Sequence, residues 1–145
     1  MDFFTSMDIS ASALTAERTR MNLISSNIAN ANSSRTAEGG PYKRKDAVFA
    51  ATPPPGSFGS ALDKASRKGV PGVEVVQVIE DQNPPRMQFD PAHPDADPQG
   101  YVAMPNVNVV EEMADMIAAT RAYEASVTAV QAAKSMALKT LEIGR

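Results

Sequence analysis

Apolar and polar positions alternate in two different ways along this chain, and the boundaries are sharp. From Phe3 to Ala31 the apolar residues keep helical spacing. Met7, Leu14, Met21 and Ile28 fall seven apart, with Phe3, Ile24 and Ala31 on a neighbouring line. Ala11, Ala13, Ala16 and several serines flank this narrow stripe, which suits close contact between helices. A second helical pattern runs from about 108 to 142. Its apolar line is Val109, Met113, Met116, Tyr123, Val127, Val130, Ala137 and Leu141, widened by Val110, Ile117 and Leu138. Asn108 is a good N-cap, and Glu111 stands where a capping box places its acidic partner. Glu112 and Asp115 continue the acidic first turns that the helix dipole favours, and Gly144 is placed for a C-cap.

The middle is built differently. All eleven prolines lie between Pro41 and Pro105, and seven of the eight glycines lie between Gly39 and Gly100. Helix-interior proline costs about 3 kcal/mol and glycine about 1 kcal/mol, so long helices are confined to the ends. Short strands are predicted over Tyr42–Ala51, over the β-branched run Val73–Ile79, over Arg86–Phe89 and at Tyr101-Val102. Thr52–Gly59 and Asp90–Gly100 are expected as loops, and Leu62–Lys68 as a solvent-exposed polar stretch. The fold class is therefore mainly α with a small β-rich insert, the N- and C-terminal helices packed as a coiled-coil-like pair. The expected divisions are 1–34 and 106–145 for the helical core and 35–105 for the insert.

The 145 residues suffice for one ordinary domain. Fourteen Lys and Arg against seventeen Asp and Glu give a net charge of −3, which argues against a nucleic-acid footprint. The absence of cysteine excludes disulfides, Cys-zinc sites and thiol nucleophiles. No run of eighteen apolar residues spans a membrane, and no cleaved secretory signal is expected at the N-terminus. The loop Asp90-Pro91-Ala92-His93-Pro94-Asp95-Ala96-Asp97 is the one candidate for a metal site. It lacks EF-hand spacing, and three prolines restrict its wrapping, so it reads as a solvated turn. His93 has no Ser or Cys partner in a catalytic pattern, and no cofactor or metal is expected. Lys43-Arg44-Lys45 cannot all share one strand face. They read as an exposed edge protected by charge, with contact to phosphate or an acidic partner as the alternative.

The run Ser25-Ser26-Asn27-Ile28-Ala29-Asn30-Ala31-Asn32 is poor helix composition. One reading is a frayed helix end with an Asn cap. The other is a polar seam in which Asn27 and Asn30, three apart on one face, fix the register of a helical interface. One facing helix cannot bury both apolar stripes fully, so the helical ends are expected to order in company with other copies or other proteins.

These residues carry a resemblance. Leu14, Arg20-Met21-Asn22-Leu23-Ile24 and the Ser25–Ala31 run resemble the N-terminal signature of bacterial flagellar rod, hook and hook-associated proteins. Gly100-Tyr101-Val102-Ala103-Met104-Pro105-Asn106-Val107 is similar to the stretch before the C-terminal helix of flagellar basal-body rod proteins. Glu112-Met113, Arg121–Ala125, Lys134-Ser135-Met136 and Leu141–Gly144 match its continuation. The resemblance implies a non-enzymatic axial protein, exported unfolded by the flagellar type III apparatus without a cleaved signal. It would stack with copies of itself and other rod proteins into the shaft crossing the periplasm. The implied subunit interface pairs Met7, Leu14, Met21, Ile24 and Ile28 with Met113, Ile117, Tyr123, Val127, Val130, Leu138 and Leu141, within or between subunits, with Asn27 and Asn30 fixing register. The readings kept beside it are a membrane-surface or helix-pairing adaptor and a cell-wall hydrolase using Asp90, Asp95 and Asp97.

Overall fold

A computed structural model describes residues 3–51 and 72–143. Helix α1 spans Phe3–Ala29, followed by strands β1 (Lys45–Ala51), β2 (Val73–Glu80), β3 (Arg86–Phe89) and β4 (Tyr101–Met104), and by helix α2 (Val109–Ile143). The two breaker-free ends are thus the two helices, and the Pro/Gly-rich middle holds the strands. The loop expected at Thr52–Gly59, the polar stretch Leu62–Lys68 and the C-cap at Gly144 lie outside the described residues.

The helices pack on each other and run antiparallel: the contacts Asn27–Glu112 and Met21–Thr120 advance in opposite directions along the two. At 1.5 Å per residue, α1 is about 40 Å long and α2 about 52 Å. Continuing the register, the start of α1 lies roughly level with Ala137, so the last turn and a half of α2 has no α1 beside it. Ser10, Thr15 and Thr19 on α1, and Thr120, Ser126, Thr128 and Thr140 on α2, return their hydroxyl hydrogens to the carbonyl one turn back. Their polarity is therefore satisfied without a partner helix.

β1 and β2 form an antiparallel ribbon that lies against α1. Its register shifts between Val48 and Phe49, leaving Val76 as the extra residue of a bulge on β2. The amide of Val73 donates to Ser12 Oγ (3.1 Å), tying the start of β2 to the helix. β3 and β4 form a second, separate antiparallel pair. Their connection turns at Gly100, whose φ of +83° is costly for any residue with a Cβ. An added Cβ would also meet Phe89 Cε2 at 3.0 Å. Phe89 packs edge-on against Tyr101, ring centres 5.2 Å apart.

The buried apolar residues, among those described, are Ala16, Ile24, Ala31, Val102, Val107 and Ala119, with Pro105 beside them. Most gather where the end of α1, the approach to β1 and the start of α2 meet. The start of α2 differs in detail from the expectation. Asn108 Oδ1 accepts the Val110 amide (3.2 Å), as an N-cap should, but among the described residues no bond returns from the Glu111 side chain. The capping box is half formed, and the acid that matters structurally is the next one, Glu112.

Candidate functional site

Asn27 and Glu112 are each 1% exposed, the two polar side chains that the described structure buries most deeply. Asn27 lies two residues before the end of α1, on the face turned toward both α2 and β1. Its Nδ2 donates to Glu112 Oε2 (3.0 Å) and to the Lys45 carbonyl (2.9 Å). Its Oδ1 accepts the Lys45 amide (2.9 Å) and the Tyr42 hydroxyl (3.0 Å). Both donors and both acceptor lone pairs of the amide are used, which is the condition for burying such a group cheaply. The Tyr42 hydroxyl also lies 3.3 Å from Ser26 Oγ.

Glu112 completes the cluster. Its Oε1 accepts a hydrogen bond from Arg44 Nε, and the same guanidinium reaches Asp46 (3.4 Å) and Asp115 (3.7 Å). Burial works against the charged guanidinium, but the hydrogen bond to Glu112 and the fields of Glu112, Asp46 and Asp115 outweigh it, so the Arg44 pKa rises above its ordinary value. Three segments distant in sequence therefore meet in one hydrogen-bonded cluster: the end of α1, the stretch from Tyr42 into the start of β1, and the first turns of α2.

This placement changes several expectations. In the basic run, Arg44 turns inward while Lys43 and Lys45 turn out toward Glu80 (3.9 and 3.7 Å). The acidic partner of the run is thus inside the chain. Alternation along an extended segment accounts for the split. Asn30 does not join Asn27. Its Nδ2 donates to the Ser26 carbonyl (2.9 Å) and its Oδ1 accepts from Ser33 Oγ (3.2 Å), so it closes the helix end. Glu112, Tyr42 and Arg44 are the members that sequence reasoning missed. A fixed cation within the basic run and an acid in the second helix's first turn were visible, but nothing in the chain linked them.

The other expected interface residues divide by helix. Ile24 is buried, and Met7, Leu14, Met21 and Ile28 are half-buried on α1. On α2, Tyr123, Val127 and Val130 are half-buried, whereas Met113, Ile117, Leu138 and Leu141 are exposed. Leu141 is 71% exposed and Ile143 86%, on the part of α2 that overhangs α1.

The acidic loop is organised as a set of turns. Asp90 Oδ1 accepts the Ala92 amide, Asp97 Oδ1 accepts the Gln99 and Tyr101 amides, and Asp95 binds Ser34 Oγ (2.8 Å) with Arg35 3.8 Å away. His93 Nδ1 accepts the Asp95 amide (3.1 Å). The Asp90 and Asp97 carboxylates serve the backbone and that of Asp95 the Ser34 and Arg35 side chains; among the described residues no group of three acids or histidines converges on a common point. No helix of the described residues is long and apolar enough to cross a membrane.

A saturated polar cluster joining two long helices with apolar surface left over is the build of a structural, packing protein. The comparisons agree. Residues 7–35 match the family of flagella basal body rod proteins, and residues 99–143 match the C-terminal family of flagellar basal body rod FlgEFG proteins. Over nearly the whole chain it is similar to the flagellar basal-body rod protein FlgC of several bacteria. The identity is 44% with that of Borreliella burgdorferi (99% of this chain, 98% of the relative). It is 42% with that of Bacillus subtilis (100% of each) and 41% with that of Salmonella typhimurium (95% of each). The chain belongs to the FlgC family of flagellar basal-body rod proteins, a structural family and not one of enzymes.

Proposed function

We propose that this chain builds the rod by packing its terminal helices against those of its neighbours, copies of itself and other rod proteins, and so carries torque along the axis. The observation that carries this reading is the pairing of full-length similarity to rod proteins with the apolar side chains left exposed on α2. Burying an exposed Leu, Ile or Met side chain contributes about 1.5–3 kcal/mol, so each recurring contact stabilises the assembly appreciably.

In this reading Met7, Leu14, Met21, Ile24 and Ile28 of α1, with Tyr123, Val127 and Val130 of α2, hold the pair within a subunit. Met113, Ile117, Leu138 and Leu141 take the neighbour. Asn27 and Asn30 contribute by shaping the end of α1, since their polar atoms are engaged inside the chain. Segments 1–34 and 106–145 form the helical core, and 35–105 forms an outer layer that meets adjacent subunits. A small core among the described residues and the absence of disulfides suit a chain passed unfolded through the flagellar export apparatus to a rod crossing the periplasm. Leu14→Asp and Leu138→Asp cells should lose rods while still exporting the subunit. Normal rods and swimming in both would show the seam to be wrong.

A further inference from the structure

We infer that the cluster of Asn27, Tyr42, Arg44 and Glu112 is a rigid joint that sets the angle of the β1–β2 ribbon to the helical pair. The ribbon lies against α1 and, among the described residues, brings no Cα within 8 Å of one in α2. A two-stranded ribbon leaning on one cylinder is free to roll about it, because apolar contact has no preferred direction. The Val73 amide on Ser12 Oγ is a directional tie at the far end of the ribbon, but to the same helix; the cluster adds the restraint from the second helix.

Asn27 grips the first residue of β1 at two points, amide and carbonyl of Lys45, each at 2.9 Å. Two parallel hydrogen bonds fix the orientation of a peptide as well as its position. Arg44, one residue earlier, extends from the same stretch of backbone to Glu112 and Asp115 on α2. The base of the ribbon is thus held from both helices, by bonds whose geometry is directional. A buried acid paired with a base is a poor way to add stability, since an apolar replacement of like volume is often as stable; its attested use is to specify one arrangement. In a subunit that carries torque, which rests on the function proposed above, such a joint makes helices and insert turn together.

The chain has no cysteine, so spin labels can be placed at will. One pair, Gln77→Cys with Ala118→Cys, measures ribbon to α2; a second, Asn22→Cys with Ala118→Cys, measures helix to helix. All three positions are exposed. Pulsed dipolar distances would be recorded in the otherwise unchanged full chain and in Glu112→Gln and Arg44→Met backgrounds. The expected result is a narrow distribution for both pairs in the unchanged chain. In each variant the ribbon–helix distribution should widen about two-fold or more, with the helix–helix distribution unaltered. Unaltered ribbon–helix distances in both variants, equal widening of both pairs, or a ribbon–helix distribution already broad in the unchanged chain would each overturn the joint. None of these depends on rod assembly, so the joint and the proposed rod packing fail separately.

Discussion

At one end of the helical pair, around Asn27 and Glu112, polar side chains are buried and every hydrogen-bonding position of the Asn27 amide is occupied. At the other end, Leu138, Leu141 and Ile143 stand in solvent on a helix that has outrun its partner. The difference follows from what each interaction demands. A buried carboxylate or amide must meet its partners at set distances and angles, and the chain provides them all itself. Apolar surface asks only to be covered and accepts a cover from another molecule. The closed end therefore defines the shape of one subunit, and in the proposed packing the open end is what that subunit offers to others.

The contrast is broken most severely by Arg44→Met, which leaves Glu112 buried without its cation. The expected loss is about 3–5 kcal/mol of unfolding free energy in urea denaturation. A loss within experimental error would mean that the closed end is not held by charge pairing. Asn27→Ala should cost about 2–3 kcal/mol, because the Lys45 amide and carbonyl lose their partners in a dry site. An Asn27→Ala chain as stable as its parent would show those groups reaching water. Away from both ends, Gly100→Ala should cost about 1–2 kcal/mol, from its positive φ and the contact with Phe89, with faster amide exchange in β3 and β4. At the open end, Leu141→Asp should change the stability of the isolated chain by less than about 0.5 kcal/mol while abolishing incorporation into rods. A large loss of stability would place Leu141 in the subunit's own core.

The smallest effect concerns Asp81, whose amide donates to the Arg44 carbonyl at the edge of the closed end. Its carboxyl accepts the Asn83 amide (2.9 Å), and these hydrogen bonds from Asn83 hold its pKa below the ordinary 3.8. Its contribution is therefore present above the ordinary carboxylate pKa and is lost as pH falls through the lowered folded value. NMR titration of the Asp81 carboxyl should give a midpoint that rises toward the ordinary value when Asn83→Pro removes the amide. An unmoved midpoint would assign the shift elsewhere.

The helices and the strands could be placed from the chain alone because each depends on neighbours in sequence. Proline and glycine exclude helix locally, and Val73–Ile79 has the β-branched composition of a strand whatever lies beside it. The Asn-rich run was ambiguous for the opposite reason. Asn27 and Asn30 share a spacing and a residue type, yet one is a buried tertiary partner and the other closes a helix end. The positions of Tyr42, Lys45 and Glu112, all distant along the chain, separate them. Glu112 looked like an ordinary acid in a first helical turn until Arg44 was seen to face it.

What the amino-acid order determined by itself was the pair of breaker-free helices, the strands between them and an apolar surplus that one facing helix cannot cover, all of which follow from periodicity and local backbone preference. The tertiary structure alone decided which polar residues pay the cost of burial and which apolar ones are left open. Both outcomes depend on three-dimensional proximity: a hydrogen bond needs its partner within about 3 Å, and a side chain is covered only where another element passes over it.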